Sequence, residues 1–436
     1  MVICLFCYNK KMIFRNSSIL AFFGVLSLLF GIVRDRFLST YVGVGPVLDV
    51  YNASFRIPDL LFGIMASFVF SAIVIPFLTK EIHNNDKENL EKKFSSLFFF
   101  FALVMIALSL VSFILLPFIA KFMAPSFQGE QLSLFIISTR ILLIQPILIG
   151  LSTLISCLAQ AKHKFILFSV TPLVYNLCII LSIVFLYPKF GLLGIIWGVV
   201  IGAILHFTLQ SYTLFKEKIK LNKDLFSWKL VSEHLNFAVP RSGSHIVSQL
   251  RGIIFTTVAL QMGVGILSIY VFAQRILDAF IQIIVQSISG ATIPILSKHH
   301  AFNEHKEYRN VFNKIIISIV LMSVLLQMIS YFFGQSIVRI IYGNTSASKD
   351  IYHLFMMLML SFPLYAINSY LVNAFAGKKP KSLFYANLVS AIMTIAVLYL
   401  TKDQGIIAFA YATWTVGISY LLLLLFFYRK KDVKYF

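Results

Sequence analysis

Apolar runs recur along the whole chain, and they constrain its fold more than any other feature. A helix of about 20 residues crosses the ~30 Å of hydrocarbon in a bilayer. None of the runs alternates strictly between polar and apolar residues, as a membrane-spanning strand would. Only 12% of the residues are charged, whereas about a quarter are charged in a soluble domain. Because each span must satisfy its own backbone hydrogen bonds in lipid, the sequence predicts an all-α polytopic membrane protein.

Twelve such runs are predicted to span the membrane, and the short polar loops between them are too small to hold a separate domain. The predicted spans are 17–38, 52–79, 95–120, 131–159, 165–187, 190–214, 229–260, 266–296, 312–341, 351–376, 382–400 and 404–428. They predict five regions: an N-terminal tail (1–16), a first lobe (17–215), a linker (216–228), a second lobe (229–428) and a C-terminal tail (429–436).

Lysine and arginine in the loops predict the orientation. Most of them lie in the two tails and in every second loop, and the alternate loops carry only Lys121, Lys189, Lys349 and Lys402. By the positive-inside rule, both termini are expected to be cytoplasmic and the number of spans to be even. The net charge of +20 is then explained by topology and by contact with anionic lipids, and not by nucleic acid.

Cysteine usage excludes a disulfide framework, because the chain has only four cysteines. Cys4 and Cys7 form a CxxC pair, but no histidine or second cysteine pair accompanies them, so no metal site or redox cofactor is expected. Met12 is a candidate alternative start, and the apolar stretch after Arg15 is too long for a cleavable signal peptide.

The remaining basic residues are all arginines within or at the edge of predicted spans: Arg34, Arg36, Arg56, Arg140, Arg241, Arg251, Arg275 and Arg339. A charged side chain at bilayer depth costs at least ~2.5–3.5 kcal/mol, so such residues usually face a protein interior or a water-filled cavity. Arginines near the ends of spans can instead extend to the interface, and these are Arg140, Arg241 and Arg339. The deeper ones are Arg34, Arg36, Arg56, Arg251 and Arg275.

Four acidic residues accompany the deep arginines: Asp35, Asp49, Asp59 and Asp278. Arg56 can pair with Asp59, and Arg275 with Asp278, since each pair is one helical turn apart. The carboxylates are nevertheless fewer than the arginines. Because guanidinium binds phosphate and pyrophosphate in a bidentate fork, the surplus arginines predict an anionic ligand.

An internal repeat divides the chain. Gly43-Val44-Gly45 is followed by the pattern Tyr51-x4-Arg56-x2-Asp59, and Gly263-Val264-Gly265 is followed by Tyr270-x4-Arg275-x2-Asp278. Six predicted spans separate the copies, so the copies share one orientation and are expected to be related by an axis along the membrane normal. This predicts two pseudo-symmetric six-helix lobes around a central cationic cavity.

Prolines fall inside several predicted spans, at Pro58, Pro76, Pro146, Pro172, Pro240, Pro294 and Pro363. Proline lacks a backbone donor, so the helices are expected to bend there, while neighbouring helices can satisfy the freed carbonyl groups. Such bends suit a transporter that rocks between two states, although prolines are also common in inert membrane helices.

Four segments carry a resemblance to a known family. Gly31-Ile-Val-Arg-Asp-Arg36, Gly43-Val-Gly-Pro-Val-Leu-Asp49, Ala53-Ser-Phe-Arg-Ile-Pro-Asp-Leu-Leu61 and Ala273-Gln-Arg-Ile276 resemble segments of the MurJ (MviN) family. Its members are lipid II flippases of the MATE-like MOP superfamily. The resemblance implies a cationic cavity for the pyrophosphate of an undecaprenyl-linked peptidoglycan precursor. It also implies that Arg34, Asp35, Asp49 and Arg275 correspond to residues that are important in that family.

The chain departs from that family in several places. Leu28 stands where the family usually has another arginine, and Phe62-Gly63 replaces its paired arginines. Well-studied members have fourteen helices, whereas twelve are predicted here. The seventh span also lacks the acidic residue that some members use in a sodium site. Arg36 and Arg251 are candidate substitutes for the missing arginines.

The predicted function is translocation of lipid II from the cytoplasmic to the outer leaflet by alternating access. The predicted substrate-binding residues are Arg34, Arg36, Arg56, Arg251 and Arg275. The predicted gate or orienting residues are Asp35, Asp49, Asp59 and Asp278. No catalytic residue, metal or cofactor is expected, and the residues leave the coupling ion open. The expected partners are an undecaprenyl-pyrophosphate carrier, membrane lipids and the cell-wall synthesis machinery of a bacterial inner membrane, with no nucleic acid.

Three alternatives stay open at this point. A flippase for another undecaprenyl-pyrophosphate-linked glycan, such as an O-antigen unit, would need the same cavity. A multidrug or cation antiporter should instead show a surplus of acidic residues in its spans. A membrane glycosyltransferase or polymerase should show acidic or metal-binding groups in sizeable loops, and the chain has no P-loop, HExxH or GxSxG signature.

Overall fold

All the regular structure in the computed structural model is helical within the residues that it describes, which are 19, 22–69, 71–162, 164–286, 288–289, 292, 295–296, 299, 304–375 and 380–429. The sequence features at Cys4, Cys7, Met12, Arg15 and Pro294 lie outside the described residues. In the first half of the chain the helices are α1 (22–37), α2 (Pro46–Ser54), α3 (Arg56–Phe68), α4 (Ser71–His83), α5 (Lys87–Met123), α6 (Gly129–Leu142), α7 (Ile144–Ala161), α8 (Ile166–Phe185), α9 (Tyr187–Phe190) and α10 (Leu192–Lys216). In the second half they are α11 (Trp228–Met262), α12 (Ile266–Ile281), α13 (His305–Tyr342), α14 (Ser348–Leu360), α15 (Phe362–Phe375), α16 (Pro380–Thr401) and α17 (Ile407–Arg429).

Helical residues occupy every one of the twelve predicted spans, within the described ranges. Eight helical stretches in the described residues are long and apolar enough to cross a membrane, and α14 with α15 would add a ninth span that is bent by 60°. The other predicted spans, 17–38, 52–79 and 229–260, do not meet this test. The first of these spans holds three consecutive charged residues, and the second is broken into short helices. The third carries histidine, serine and arginine along its length. The chain is a multi-pass membrane protein, and the count of twelve stays a prediction.

Several helix breaks lie just before prolines, as the sequence predicts. The break at Phe55 precedes Pro58, the one at Leu143 precedes Pro146, and the one at Ser361 precedes Pro363. A proline ring clashes with the carbonyl of the preceding turn and offers no N–H to it, so a helix is interrupted there most easily. By contrast, Pro172 lies inside the continuous helix α8.

The chain forms two compact units. The first consists of Met1–Gly43, Ser54–Lys121 and Gln128–Ser242, and the second of Val44–Ala53, Phe122–Phe127 and Gly243–Phe436. The short segment Val44–Ala53, which contains most of α2, thus packs with the second half of the chain although it belongs to the first half of the sequence.

In the first unit, α10 packs against α7 and α8. Its contact face is a ladder of glycines at every fourth position, Gly194, Gly198 and Gly202. A Cβ atom at Gly198 would overlap the Cβ and Oγ atoms of Ser182 on α8. Small residues at this spacing let two helix backbones approach closely, which gains van der Waals contact where lipid offers no hydrophobic driving force.

In the second unit, aromatic side chains join α12 to its neighbours. The rings of Phe272 and Tyr342 stack with centroids 4.2 Å apart, and the Tyr342 hydroxyl donates a 2.8 Å hydrogen bond to the carbonyl oxygen of Phe272. The Tyr270 ring stacks on Phe409 of α17 at 4.5 Å. These contacts fix the position of α12, the helix that carries Arg275 and Asp278.

The helices α5 and α13 present the largest apolar surfaces. They have 37 and 38 residues, so each is about 55 Å long and extends beyond the ~30 Å hydrocarbon layer. In each helix, only 22% of the most apolar stretch of 18 residues is buried. Side chains such as Phe118 and Phe332 are 66% and 74% exposed. A continuous apolar face of this kind is stable against lipid and would be unstable in water.

Some of the predicted cytoplasmic lysines pair with glutamates of the first unit. Lys93 Nζ lies 2.7 Å from Glu81 Oε1, and Lys162 Nζ lies 3.1 Å from Glu217 Oε2. Lys164 contacts the other oxygen of Glu217. Burial raises the pKa of Glu217, but its hydrogen bonds and charge interactions with Lys164 and Lys162 outweigh burial and leave that pKa below its ordinary value of 4.5. The Lys162–Glu217–Lys164 cluster therefore ties the loop after α7 to the end of α10.

Replacing Gly198 with alanine should lower the free energy of unfolding by about 1–3 kcal/mol, because α8 and α10 must separate to admit the new methyl group. Thermal unfolding of the purified protein in detergent measures the change. Gly24→Ala on α1 is the matched control, since no atom lies within 4 Å of its new Cβ and alanine favours a helix. A Gly198→Ala protein that unfolds at the wild-type temperature would contradict the close packing of these helices.

Replacing Glu217 with glutamine should lower the unfolding temperature at neutral pH and have progressively less effect in acid. Because the folded-state pKa of Glu217 is lowered, its stabilising contribution is present above the ordinary value of 4.5 and is lost as the pH falls through the folded-state value. Unfolding temperatures of both proteins, compared from neutral to acidic pH, test this. A constant difference between them at every pH would argue against the ion-pair cluster.

Candidate functional site

The first predicted site residue, Arg34, is held by two partners within the first unit. Its Nε and Nη2 atoms donate to Asp35 Oδ1 at 3.0 and 2.9 Å, and its Nη1 atom donates to Asn176 Oδ1 at 3.0 Å. Asn176 in turn donates through Nδ2 to the carbonyl oxygen of Pro172 at 3.1 Å, which fixes the direction in which its amide faces. The guanidinium is therefore held in one orientation by α1 and α8 together.

The backbone leaves regular α-helical geometry just after this arginine. Residues Leu38–Val42 form a π-helix, which ends at Gly43 with a φ angle of +76°. A π-helical turn of this kind is uncommon and is often found at functional sites. It lies between the Arg34–Asp35 pair and the Gly43–Gly45 segment of the repeat.

Asp49 caps the start of α12 in the second unit. Its carboxylate accepts hydrogen bonds from the Gly265 N–H at 2.5 Å, from the Ser268 N–H at 3.0 Å and from the Ser268 hydroxyl at 2.6 Å. The side chain is only 2% exposed. A carboxylate at this position satisfies backbone donors that have no partner within the helix and interacts favourably with the helix dipole. Among the described residues Asp49 forms no ion pair, and its predicted gating role stays a prediction.

The Asp49 cap joins the two copies of the repeat. Ser268 lies five residues after Gly263, much as Asp49 lies six residues after Gly43, so each belongs to the same part of its own copy. Gly265 has a φ angle of +82°, and a Cβ on it would lie 3.1 Å from Val44 Cγ1. Glycine is thus required there both by its backbone conformation and by the close approach of the first copy.

Four further predicted residues lie on α1, α3 and α12. Arg36 and the pair Arg56 and Asp59 are half-buried in the first unit, and Arg275 is half-buried in the second. All four interact with other residues of the chain.

Asp278, one helical turn after Arg275, is exposed, and its Oδ1 atom accepts a 2.9 Å hydrogen bond from Gln274 Nε2. The charge of Arg275 also acts on this carboxylate. Gln274, the neighbour of Arg275, is therefore a hydrogen-bond partner of Asp278.

Arg251 lines a cavity of about 360 Å³ within the second unit. The α11 face of this cavity contributes Ser244, His245 and Ser248 together with Arg251, and α16 contributes Asn387. Asn387 Nδ2 donates to the Ser244 carbonyl oxygen at 2.6 Å and to Ser248 Oγ at 2.9 Å, which joins α11 to α16 beside the arginine. The lining residues include no carboxylate.

The opposite side of the cavity comes from α15 and α17. Tyr365, Asn368 and Ser369 project from α15, and Tyr420 projects from α17. The charge of Arg251 acts on both tyrosine hydroxyls, which places them near the guanidinium. The cavity therefore combines one cation with several neutral groups that can form hydrogen bonds.

Sequence reasoning missed these neutral partners because it counted charges alone. On α15, Tyr365, Asn368, Ser369 and Val372 follow the i, i+3, i+4, i+7 spacing of one helix face, and Ser244, Ser248 and Arg251 do the same on α11. A search for polar residues with helical spacing inside apolar spans would have found both faces. Asn176 stands alone on its helix face, and no sequence pattern marks it.

Comparison with known proteins gives consistent matches. A sequence model of the family described as lipid II flippase MurJ matches residues 38–436. The probable lipid II flippase MurJ of Aquifex aeolicus is 24% identical over 434 residues, which cover 97% of this chain and 84% of that protein. The protein of the same description from Buchnera aphidicola subsp. Acyrthosiphon pisum is 22% identical over 94% of this chain and 82% of its own length.

Two solved structures share the fold. The lipid II flippase MurJ in an inward closed conformation superposes with a TM-score of 0.78 at 21% identity, covering 94% of this chain and 87% of that chain. An inward-facing multidrug resistance MATE family transporter of the MOP superfamily superposes with a TM-score of 0.79 at 14% identity, covering 94% and 95%. At these identities the likeness concerns the fold alone.

Replacing Asp49 with asparagine should lower the free energy of unfolding by about 1–2 kcal/mol, because an amide keeps one acceptor and loses the charge that interacts with the start of α12. Thermal unfolding in detergent measures it. Asp86→Asn is the matched control: Asp86 caps α5 in an exposed loop, where asparagine caps equally well, so its unfolding temperature should not change. Equal effects of the two changes would contradict the buried cap.

Proposed function

Because the chain belongs to the lipid II flippase MurJ family, we propose that it carries lipid II from the cytoplasmic to the outer leaflet of a bacterial inner membrane. The match of the family over residues 38–436 is the observation that carries this proposal. The chain is a transporter, and lipid II is the substrate proposed for it. Its role is then to supply peptidoglycan synthesis with precursor at the outer surface.

The charges in the spans support an anionic substrate. Lipid II joins its head group to the lipid through a pyrophosphate, and a guanidinium can bind each phosphate through two parallel hydrogen bonds. Arg34, with its orientation fixed by Asp35 and Asn176, is preorganised for such binding, so less conformational entropy is lost when the substrate arrives. Carboxylate-rich cavities would suit the cationic substrates of an antiporter instead.

The proposed roles of the residues follow the sequence prediction. Arg34, Arg36, Arg56, Arg251 and Arg275 bind the pyrophosphate. Asp35, Asp49, Asp59 and Asp278 orient these arginines or the helices that bear them. The head group crosses by alternating access of the lobes proposed at 17–215 and 229–428, while the lipid tail stays in the hydrocarbon. No covalent step is needed.

Topology supports the same direction of transport. With both termini in the cytoplasm, the lysine-rich loops face the leaflet in which lipid II is made, where anionic lipids attract them. The cell-wall synthesis machinery is the proposed partner on the outer side. The proposal assigns no cofactor and no coupling ion.

Expression of this chain should restore growth, and exposure of the lipid II head group at the outer surface, in a bacterium depleted of its own lipid II flippase. The Arg275→Ala variant should restore neither, because it removes a cation that the pyrophosphate needs while leaving a helix-forming residue on α12. Labelling of the head group by an impermeant probe measures exposure, and membrane fractionation shows that each variant is inserted.

Arg140→Ala is the matched control for charge. Arg140 lies at the end of α6, with its guanidinium 4.5 Å from the ring of Phe113, and it belongs to no proposed site. This variant should support growth like the wild type. A stably inserted wild-type chain that exposes no lipid II would overturn the proposal in favour of another undecaprenyl-pyrophosphate-linked glycan. Wild-type transport by Arg275→Ala would remove Arg275 from the site.

A further inference from the structure

The cavity around Arg251 differs from a cation site in the charge of its lining. Cation sites in proteins are built from carboxylates and other oxygen ligands that carry negative charge or strong dipoles. Here the lining residues include a guanidinium and no carboxylate. Asp278 interacts electrostatically with Tyr365 of the lining, but it accepts a hydrogen bond from Gln274 and forms no ion pair with Arg251 among the described residues.

Two other groups in the cavity are buried without partners. In the described part of the chain, Ser244 Oγ and Asn368 Oδ1 have no hydrogen-bond partner. Asn368 is only 4% exposed, and its Nδ2 atom donates to the Gly417 carbonyl oxygen at 2.9 Å. This hydrogen bond fixes the orientation of the amide and leaves its oxygen as an acceptor without a partner. A buried polar atom without a partner is costly, so two such atoms in a cavity that also holds a guanidinium indicate a ligand.

The three groups together specify the chemistry of that ligand. Arg251 and the Ser244 hydroxyl donate hydrogen bonds and need acceptor oxygens with negative charge. Asn368 Oδ1 accepts and needs a hydroxyl on the ligand. Phosphate meets both requirements near neutral pH because one of its oxygens carries a proton, whereas sulfate and chloride carry none.

We propose that this cavity of the second unit binds a phosphate group, with Arg251 and Ser244 holding its charged oxygens and Asn368 accepting from a hydroxyl. The group is either inorganic phosphate or the terminal phosphate of a lipid-linked diphosphate. The volume of about 360 Å³ leaves room for more than a single phosphate, so both sources fit. The lipid-linked source extends the proposed role of Arg251 in pyrophosphate binding and rests on the proposed function. Binding of inorganic phosphate at this site does not depend on the transport of lipid II.

Equilibrium binding of radiolabelled inorganic phosphate to the purified full-length protein in detergent tests the proposal. The wild type should bind phosphate saturably and more tightly than sulfate, because sulfate leaves the Asn368 acceptor unpaired. The Arg251→Gln variant should bind about 10- to 100-fold more weakly, the loss expected when a charge-assisted hydrogen bond is removed. Arg140→Gln, which removes the same charge outside the cavity, should bind like the wild type.

The Ser244→Ala variant provides a milder change, since alanine fits the helix and removes only the hydroxyl. It should weaken phosphate binding by about 3- to 10-fold. Thermal unfolding of each variant shows whether it is folded. Absence of saturable phosphate binding by the folded wild type would overturn the proposal, and so would unchanged binding by both cavity variants.

Competition with farnesyl diphosphate, a short lipid diphosphate, identifies the source of the phosphate. Displacement of labelled phosphate from the wild type would show that the cavity takes the diphosphate of a lipid carrier. Absence of displacement would show that it takes free phosphate. The phosphate-site proposal and the lipid II proposal can fail separately. A chain that restores growth but binds no phosphate would refute the phosphate site and leave the proposed transport function intact.

Discussion

The cost of placing a polar or charged group in hydrocarbon governs this structure. At least ~2.5–3.5 kcal/mol is lost for each charged side chain at bilayer depth, and a comparable cost applies to a buried backbone group without a partner. Two sets of hydrogen bonds show how the chain meets this constraint. Asp35 and Asn176 surround the guanidinium of Arg34, and the carboxylate of Asp49 covers the N–H groups at the start of α12. Where partners are missing, as around Arg251, the same constraint indicates a ligand.

The repeat gives two similar scaffolds that have acquired different chemistry. In the first unit, Arg34 on the first helix of the repeat donates to an asparagine on the fifth, Asn176. In the second unit, Arg251 and Asn387 lie on the corresponding helices, but Asn387 is bonded to serines of α11 and a cavity remains beside the arginine. Arg34 is thus oriented by two protein side chains, whereas Arg251 lines an open cavity.

The residues that matter most for the proposed function lie on the least apolar spans. Arg34, Arg56 and Arg251 belong to predicted spans that do not form long, strongly apolar helices in the described residues, and Arg275 is the exception. This follows from physics, since a helix that lines a polar cavity carries polar residues at the expense of its hydropathy. The same charges that revealed the candidate site in the sequence therefore made its helices harder to recognise as spans. The neutral partners were missed for the opposite reason: Asn176 and Tyr365 add little polarity to an apolar run.

The sequence by itself determined the class of fold, the approximate positions of the helices, the repeat and the set of intramembrane arginines. These follow from properties that act within one helix: hydropathy, the spacing of side chains and the restriction that proline places on the preceding turn. Only the tertiary structure decided which polar groups meet. Asp49 and Ser268 are 219 residues apart, and no local property of either residue predicts their hydrogen bond. The segment Val44–Ala53 packs with the second unit, and the Arg251 cavity forms from four helices, because long-range packing brings together faces that the sequence keeps far apart.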